Sequence, residues 1–110
     1  NRICLMPVER RAFPRLDENL PVRFKVLSET NGSVAGVTSN IGGGGIAVCY
    51  LEPLEIGARI LGEVDVAQTT VRFTGRTVRV EEVGLGHYEI GVEFLEIDDK
   101  SHELILSYAS

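Results

Sequence analysis

Apolar and polar residues alternate with a period of two along most of this chain, and the alternation starts abruptly at Pro21. Val22, Phe24 and Val26 interleave with Arg23 and Lys25. Successive side chains of a strand point to opposite faces, so this spacing predicts a half-buried strand. Asn31-Gly32 is a hairpin signal, and residues 34–39 (VAGVTS) read as the next strand. The run Gly42–Gly45 breaks the pattern, and residues 46–50 (IAVCY) resume it. Further strands are predicted over 59–66 (RILGEVDV), 70–82 (TVRFTGRTVRVEE) and 88–95 (YEIGVEFL), with a turn at Gly84 and Gly86. In the fifth strand Val71, Phe73, Val78 and Val80 are candidate core positions, and a slip of phase near Gly75 predicts a bulge or bend. Asp98 has the chemistry of a helix N-cap, and Leu104, Ile105 and Tyr108 give a short amphipathic helix to the end. Residues 1–20 have no clean period. Pro7 and Pro14 interrupt them, which predicts an irregular arm or a short turn of helix.

About six strands joined by tight turns predict an antiparallel barrel or a strongly bent sandwich, with the helix over one open end. The chain divides into an arm, 1–20, and a single domain, 21–110, and 110 residues are enough for a core without staples. It does not begin with Met, so it reads as a piece of a longer protein. No apolar run nears the ~20 residues that span a bilayer, which predicts no membrane insertion. Cys49 lies in an apolar run and reads as a small buried hydrophobe, with a Cys4–Cys49 disulfide left open as the alternative. His87 and His102 have no ligand partner at a helical spacing, and no metal site is expected. No serine, cysteine or threonine is tied by the sequence to a base, so an enzyme is not expected.

Charge changes the picture. The net charge of −5 argues against a DNA or RNA polymer as partner. Residues 1–25 nevertheless hold six basic and three acidic side chains, net +3, whereas residues 26–110 hold five basic and thirteen acidic, net −8. The excess sits in Arg10, Arg11 and Arg15, and a small anion suits such a local cluster. Guanidinium groups are planar, always charged and grip phosphate oxygens in pairs. A solvated basic linker is the alternative. The glycine run poses a second question. Four glycines in succession lose extra backbone entropy on folding, which positive φ or close approach to a ligand would justify. A bulged hairpin turn is the alternative. A Walker-type loop is excluded because no Gly-Lys-Ser/Thr follows and a strand comes next.

Taken in order, these pieces resemble the PilZ domain family, bacterial receptors for cyclic di-GMP. Arg11-Ala12-Phe13-Pro14-Arg15 is similar to the family's Arg-x-x-x-Arg arm, Asn40-Ile41-Gly42-Gly43-Gly44-Gly45 to its Asn/Asp-x-Ser-x-x-Gly motif, and Tyr88–Phe94 to its closing strand. The resemblance covers about residues 8–108. It implies an all-β fold, a six-stranded antiparallel barrel with a C-terminal helix and an N-terminal arginine-rich arm. It also implies a ligand site at Arg10, Arg11, Arg15, Asn40, Gly42, Gly44 and Gly45. Arg11 and Arg15 would hold the phosphates and guanine faces, Asn40 would bond a guanine edge, and Gly45 would let the backbone turn close to the ligand. Arg10, just before the first motif arginine, fits a stacked pair of ligand molecules better than one. The expected function is a cytoplasmic cyclic di-GMP sensor without a cofactor, its arm closing over the ligand to change contacts with a neighbouring domain or partner protein. The chain departs from the family at Gly42, where the pattern has Ser. That departure supports the alternative, a degenerate interaction module that binds no nucleotide.

Overall fold

The computed structural model describes residues 15–16, 19–28 and 32–109. Seven strands run in chain order: β1 (Arg15–Leu16), β2 (Pro21–Val26), β3 (Val34–Gly42), β4 (Gly45–Tyr50), β5 (Arg59–Val66), β6 (Thr69–Gly84) and β7 (His87–Ile97). One helix, α1 (Asp99–Ala109), follows. All pairings are antiparallel, in the order β3-β2-β5-β6-β7-β4, and β4 pairs back onto β3. Six strands therefore close a barrel, which removes the edges that a small open sheet would leave exposed. β1 lies outside this ring. It continues the line of β2 along β3: β2 pairs with Val34–Val37, and β1 with Ile41 and Gly42.

The strand alternation predicts the core well. Val22, Phe24 and Val26 of β2 point inward, as do Ile60, Val64 and Val66 of β5 and Val71 and Phe73 of β6. Each such side chain contributes about 1.5–3 kcal/mol when withdrawn from water. Phe73 meets Phe94 edge-on at 5.0 Å between ring centroids and also covers Gly62. Asp98 caps α1 by accepting the Ser101 N–H at 2.8 Å, as expected. The helix touches both β3 and β5, which are not neighbours in the sheet, and inserts Ile105 into the core. It thus spans an end of the barrel.

Three details differ from the pattern. Val78 is 44% exposed rather than buried, because it is the extra residue of a bulge between Thr77 and Arg79, and Thr77 takes the inward position. A second irregularity, between Thr74 and Gly75, has its extra residue, Leu95, in β7; β6 alternates without a break from Val71 to Thr77, so the phase slip expected near Gly75 comes instead at Val78. Within the arm, Arg15–Leu16 is a strand and Leu20 joins the core. The Leu20 N–H donates to Thr38 Oγ1, and the Thr38 N–H donates to the Leu20 carbonyl, both at 2.9 Å. Cys49 is buried, as predicted, but is not a free thiol; Cys4 lies outside the described residues.

One hairpin uses residues poorly suited to it. Ala67 and Gln68 join β5 to β6 as a two-residue loop, with Val66 paired to Thr69 and φ of 50° and 67°. L-residues other than Asn, Asp and Gly resist that conformation. Replacing Ala67-Gln68 by Asn-Gly is therefore expected to stabilise the domain by about 1 kcal/mol, read as a rise of about 5 °C in the thermal midpoint.

Candidate functional site

The site begins with a change of phase in β3. Along its first half Val34, Gly36 and Thr38 take the inward positions, opposite Phe24, Val22 and Val48. Continued alternation would place Asn40 inside as well. Instead Ser39 is an extra residue: Thr38 pairs with Val48, but Asn40 pairs with Ala47 and Ile41 with Ile46. The bulge turns Ile41 into the core and Asn40 onto the outer face of the barrel wall. Asn40 is 3% exposed there.

Past Ile41 the chain reaches Gly42, paired with Arg15 of β1. Two segments far apart in sequence, the end of the arginine motif and the middle of the glycine motif, are thereby hydrogen-bonded neighbours. Arg10 and Arg11 lie outside the described residues. Gly43 and Gly44 make the turn, narrower than the four-residue break in the pattern, since Gly42 still belongs to β3 and Gly45 already to β4. The turn is held at two carbonyls: the Phe94 N–H donates to Gly44 at 3.1 Å, and His102 Nε2 of α1 lies 2.9 Å from the Gly43 oxygen.

The glycines do not serve the purpose of positive φ. Among the described residues the positive-φ glycines are Gly57 and Gly86. Gly45 is needed for packing, since a Cβ there would meet the Val92 carbonyl oxygen at 2.3 Å. On the outer face Asn40 and Gly42 share a strip with Gly45 and Ala47 of β4 and Gly91 of β7. Arg79 of β6 lies over Gly91, its Nε 3.4 Å from where a Cβ would stand. With little beyond backbone on the strip, a second layer can lie close against the wall.

Its far side is held by a buried network. Glu89 of β7 is fully buried, with one oxygen 3.0 Å from Arg79 Nη1 and the other accepting the Ser39 hydroxyl at 2.9 Å. A buried carboxylate needs such partners, because desolvation of an unpaired charge is expensive. Three more barrel arginines sit against carboxylates: Arg23 and Arg72 with Glu63, and Arg76 with Glu93. Arg72 first, then Arg23, hold the Glu63 carboxyl below its ordinary pKa.

Sequence reasoning located Asn40 and the glycine run but missed Ser39, Glu89, Arg79 and His102. A polar residue directly before the Asn, and a Glu near the start of the largely apolar strand Tyr88–Phe94, were the available signals. Among the described residues no group of three or more His, Cys, Asp or Glu could hold a metal ion, and no helix is long and apolar enough to cross a membrane.

Solved structures share this architecture. The inhibitor of motility from Bacillus subtilis (MotI/DgrA) superposes with a TM-score of 0.80 at 19% identity, over 93% of this chain and 50% of that one. The PilZ domain of Escherichia coli YcgR with c-di-GMP gives 0.69 at 16% identity, covering 91% and 92%. The K. pneumonia MrkH–c-di-GMP complex gives 0.71 at 17%, covering 89% and 49%. The chain thus spans about half the length of MotI and MrkH and nearly all of the isolated YcgR domain. These identities establish the fold alone. No curated protein matches at the level of sequence. The PilZ domain model matches residues 9–110, from the arginine motif through the barrel to the end of the helix, so the chain belongs to the PilZ domain family.

Proposed function

We propose that this domain is a receptor for cyclic di-GMP, acting in the bacterial cytoplasm as a sensor rather than an enzyme. One observation carries the reading. Arg15 pairs with Gly42, so the arginine motif and the Asn40–Gly45 segment meet at the same point of the barrel wall. Arg11 and Arg15 supply charge for the phosphates and planes for the guanines. Asn40 supplies an amide for a base edge. Gly42, Gly44 and Gly45 give the ligand access to backbone. Arg10 admits a second, stacked ligand molecule. The YcgR and MrkH structures of this fold hold c-di-GMP, which supports the choice of ligand. Closure of the arm over the ligand would alter the surface offered to a neighbouring domain or partner protein, and cyclic di-GMP would remain chemically unchanged.

A calorimetric titration with cyclic di-GMP at moderate salt tests the reading. Saturable binding is expected, at two molecules per domain. Absence of binding would favour the silent interaction module that Gly42 motivates. The two readings separate further on Gly42→Ser. In a working site the added hydroxyl is expected to tighten binding by about 0.5–3 kcal/mol. In a silent one it would change nothing.

A further inference from the structure

We infer that Ser39 and Glu89 are positioning residues, which hold the β3 bulge and thereby set Asn40 on the outer face of the wall. The inference deepens the cyclic di-GMP reading and rests on it for the role of Asn40.

The register of β3 is the starting point. Thr38 and Ile41 both take inward positions although they are three residues apart, which an unbroken strand cannot do. Taking Ser39 into the ladder as an ordinary strand residue would return Asn40 to the interior phase and force Ile41, fully buried and paired with Ile46, outward. Something must therefore hold Ser39 out of the ladder. Its hydroxyl donates to Glu89, which belongs to β7. β7 and β3 are not neighbours. β4 lies between them, so the bond reaches across one strand. Two strand spacings are about 9.6 Å, a span that Ser and Glu side chains bridge only when both lean toward each other. Arg79, on the strand beyond, holds the other oxygen of Glu89 and fixes the carboxylate where Ser39 needs it. The chain Arg79–Glu89–Ser39 runs from β6 to β3 and ends one residue before Asn40. On the other side of the bulge, Thr38 is locked by the Leu20 pair and by Asn19 Nδ2, which donates to its carbonyl at 2.7 Å. Thr38 is thus fixed by the chain leading into β2, and Ser39 by the far side of the barrel.

The test combines a ligand-free and a ligand-dependent arm. In Ser39→Ala, amide exchange at Asn40 and Ile41 is expected to quicken at least tenfold relative to the β5 amides. Ser39→Thr keeps the hydroxyl and is expected to stay within about threefold of wild type. Uniform acceleration across β3 and β5 would show a merely structural role and overturn the inference. In the binding arm, Ser39→Ala is expected to weaken cyclic di-GMP about tenfold in the wild-type background but less than twofold in Asn40→Ala, because the hydroxyl acts through Asn40. Additive losses in the two backgrounds would overturn it. Should Ser39→Ala fail to fold, Glu89→Gln, which keeps an acceptor oxygen but weakens the Arg79 pair, is read in the same two arms. A wild-type domain that binds no cyclic di-GMP sinks the receptor reading instead, and the exchange arm then decides the inference alone.

Discussion

Arg15→Ala is expected to weaken cyclic di-GMP binding about a hundredfold or more, with little change in the thermal midpoint. A hydrogen bond to a charged partner is worth about 1.5–3 kcal/mol, and a guanidinium can make two of them to one phosphate. Loss of both corresponds to roughly two orders of magnitude or more in affinity. The fold should tolerate the change because β1 is held through its main chain, Arg15 to Gly42 and Leu16 to Ile41, and alanine retains that pairing. Arg15→Lys keeps the charge but loses the planar fork, so it should recover only part of the affinity. Arg11→Ala is expected to behave like Arg15→Ala, whereas Arg10→Ala should lower the molar ratio before it abolishes binding. Calorimetry and thermal unfolding of the same samples check all four. Wild-type affinity in the Arg15→Ala protein would remove the arginine motif from the mechanism.

The contrast between Arg15 and Asn40 shows what was legible in the sequence. The strand pattern of β2, β5 and most of β6 was readable because each has one buried face and one wet face, so hydrophobicity alternates cleanly. β4 and the end of β3 are buried along nearly their whole length, so alternation there says little about which side chain faces where. Bulges are harder still. The one at Val78 moved an apolar residue to the surface, and the one at Ser39 moved a polar residue to the outer wall. Both depend on partners distant in sequence. Glu89 is fifty residues from Ser39 and meets it only once the barrel closes. The motifs were visible as strings, and the resemblance they carry placed the site. Their meeting point, Arg15 against Gly42, is a property of β3 alone, which pairs with β2 along one half and β1 along the other.

Gly45→Ala is expected to destabilise the domain by about 3 kcal/mol or more, whether or not ligand is present. The added methyl would lie 2.3 Å from the Val92 carbonyl oxygen and 3.2 Å from Glu93 Cα, and both obstacles are main chain. A rotamer change relieves neither, so β4 and β7 must separate locally. That move disturbs the Gly45–Glu93 pair and the Phe94 N–H bond to Gly44, both at the seam where the glycine turn is anchored. Overpacking in such a place costs about 1–3 kcal/mol for side chains that can yield, and more where only backbone is available to move. Gly91→Ala makes the informative comparison. Its methyl would approach Arg79 at 3.3–3.6 Å, without the sub-3 Å overlap found at Gly45, and two of the three contacts, Nε and Nη2, lie at the movable end of the side chain. Its loss should be well below that of Gly45→Ala in parallel denaturant titrations. Equal losses would show that the seam yields more easily than its geometry implies. The comparison also guards the binding experiments. A Gly45 variant that fails to bind cyclic di-GMP has lost the wall on which the site is built. Its failure says nothing about a contact between residue 45 and the ligand, whereas a stable Arg15→Ala protein that fails to bind points directly to the side chain.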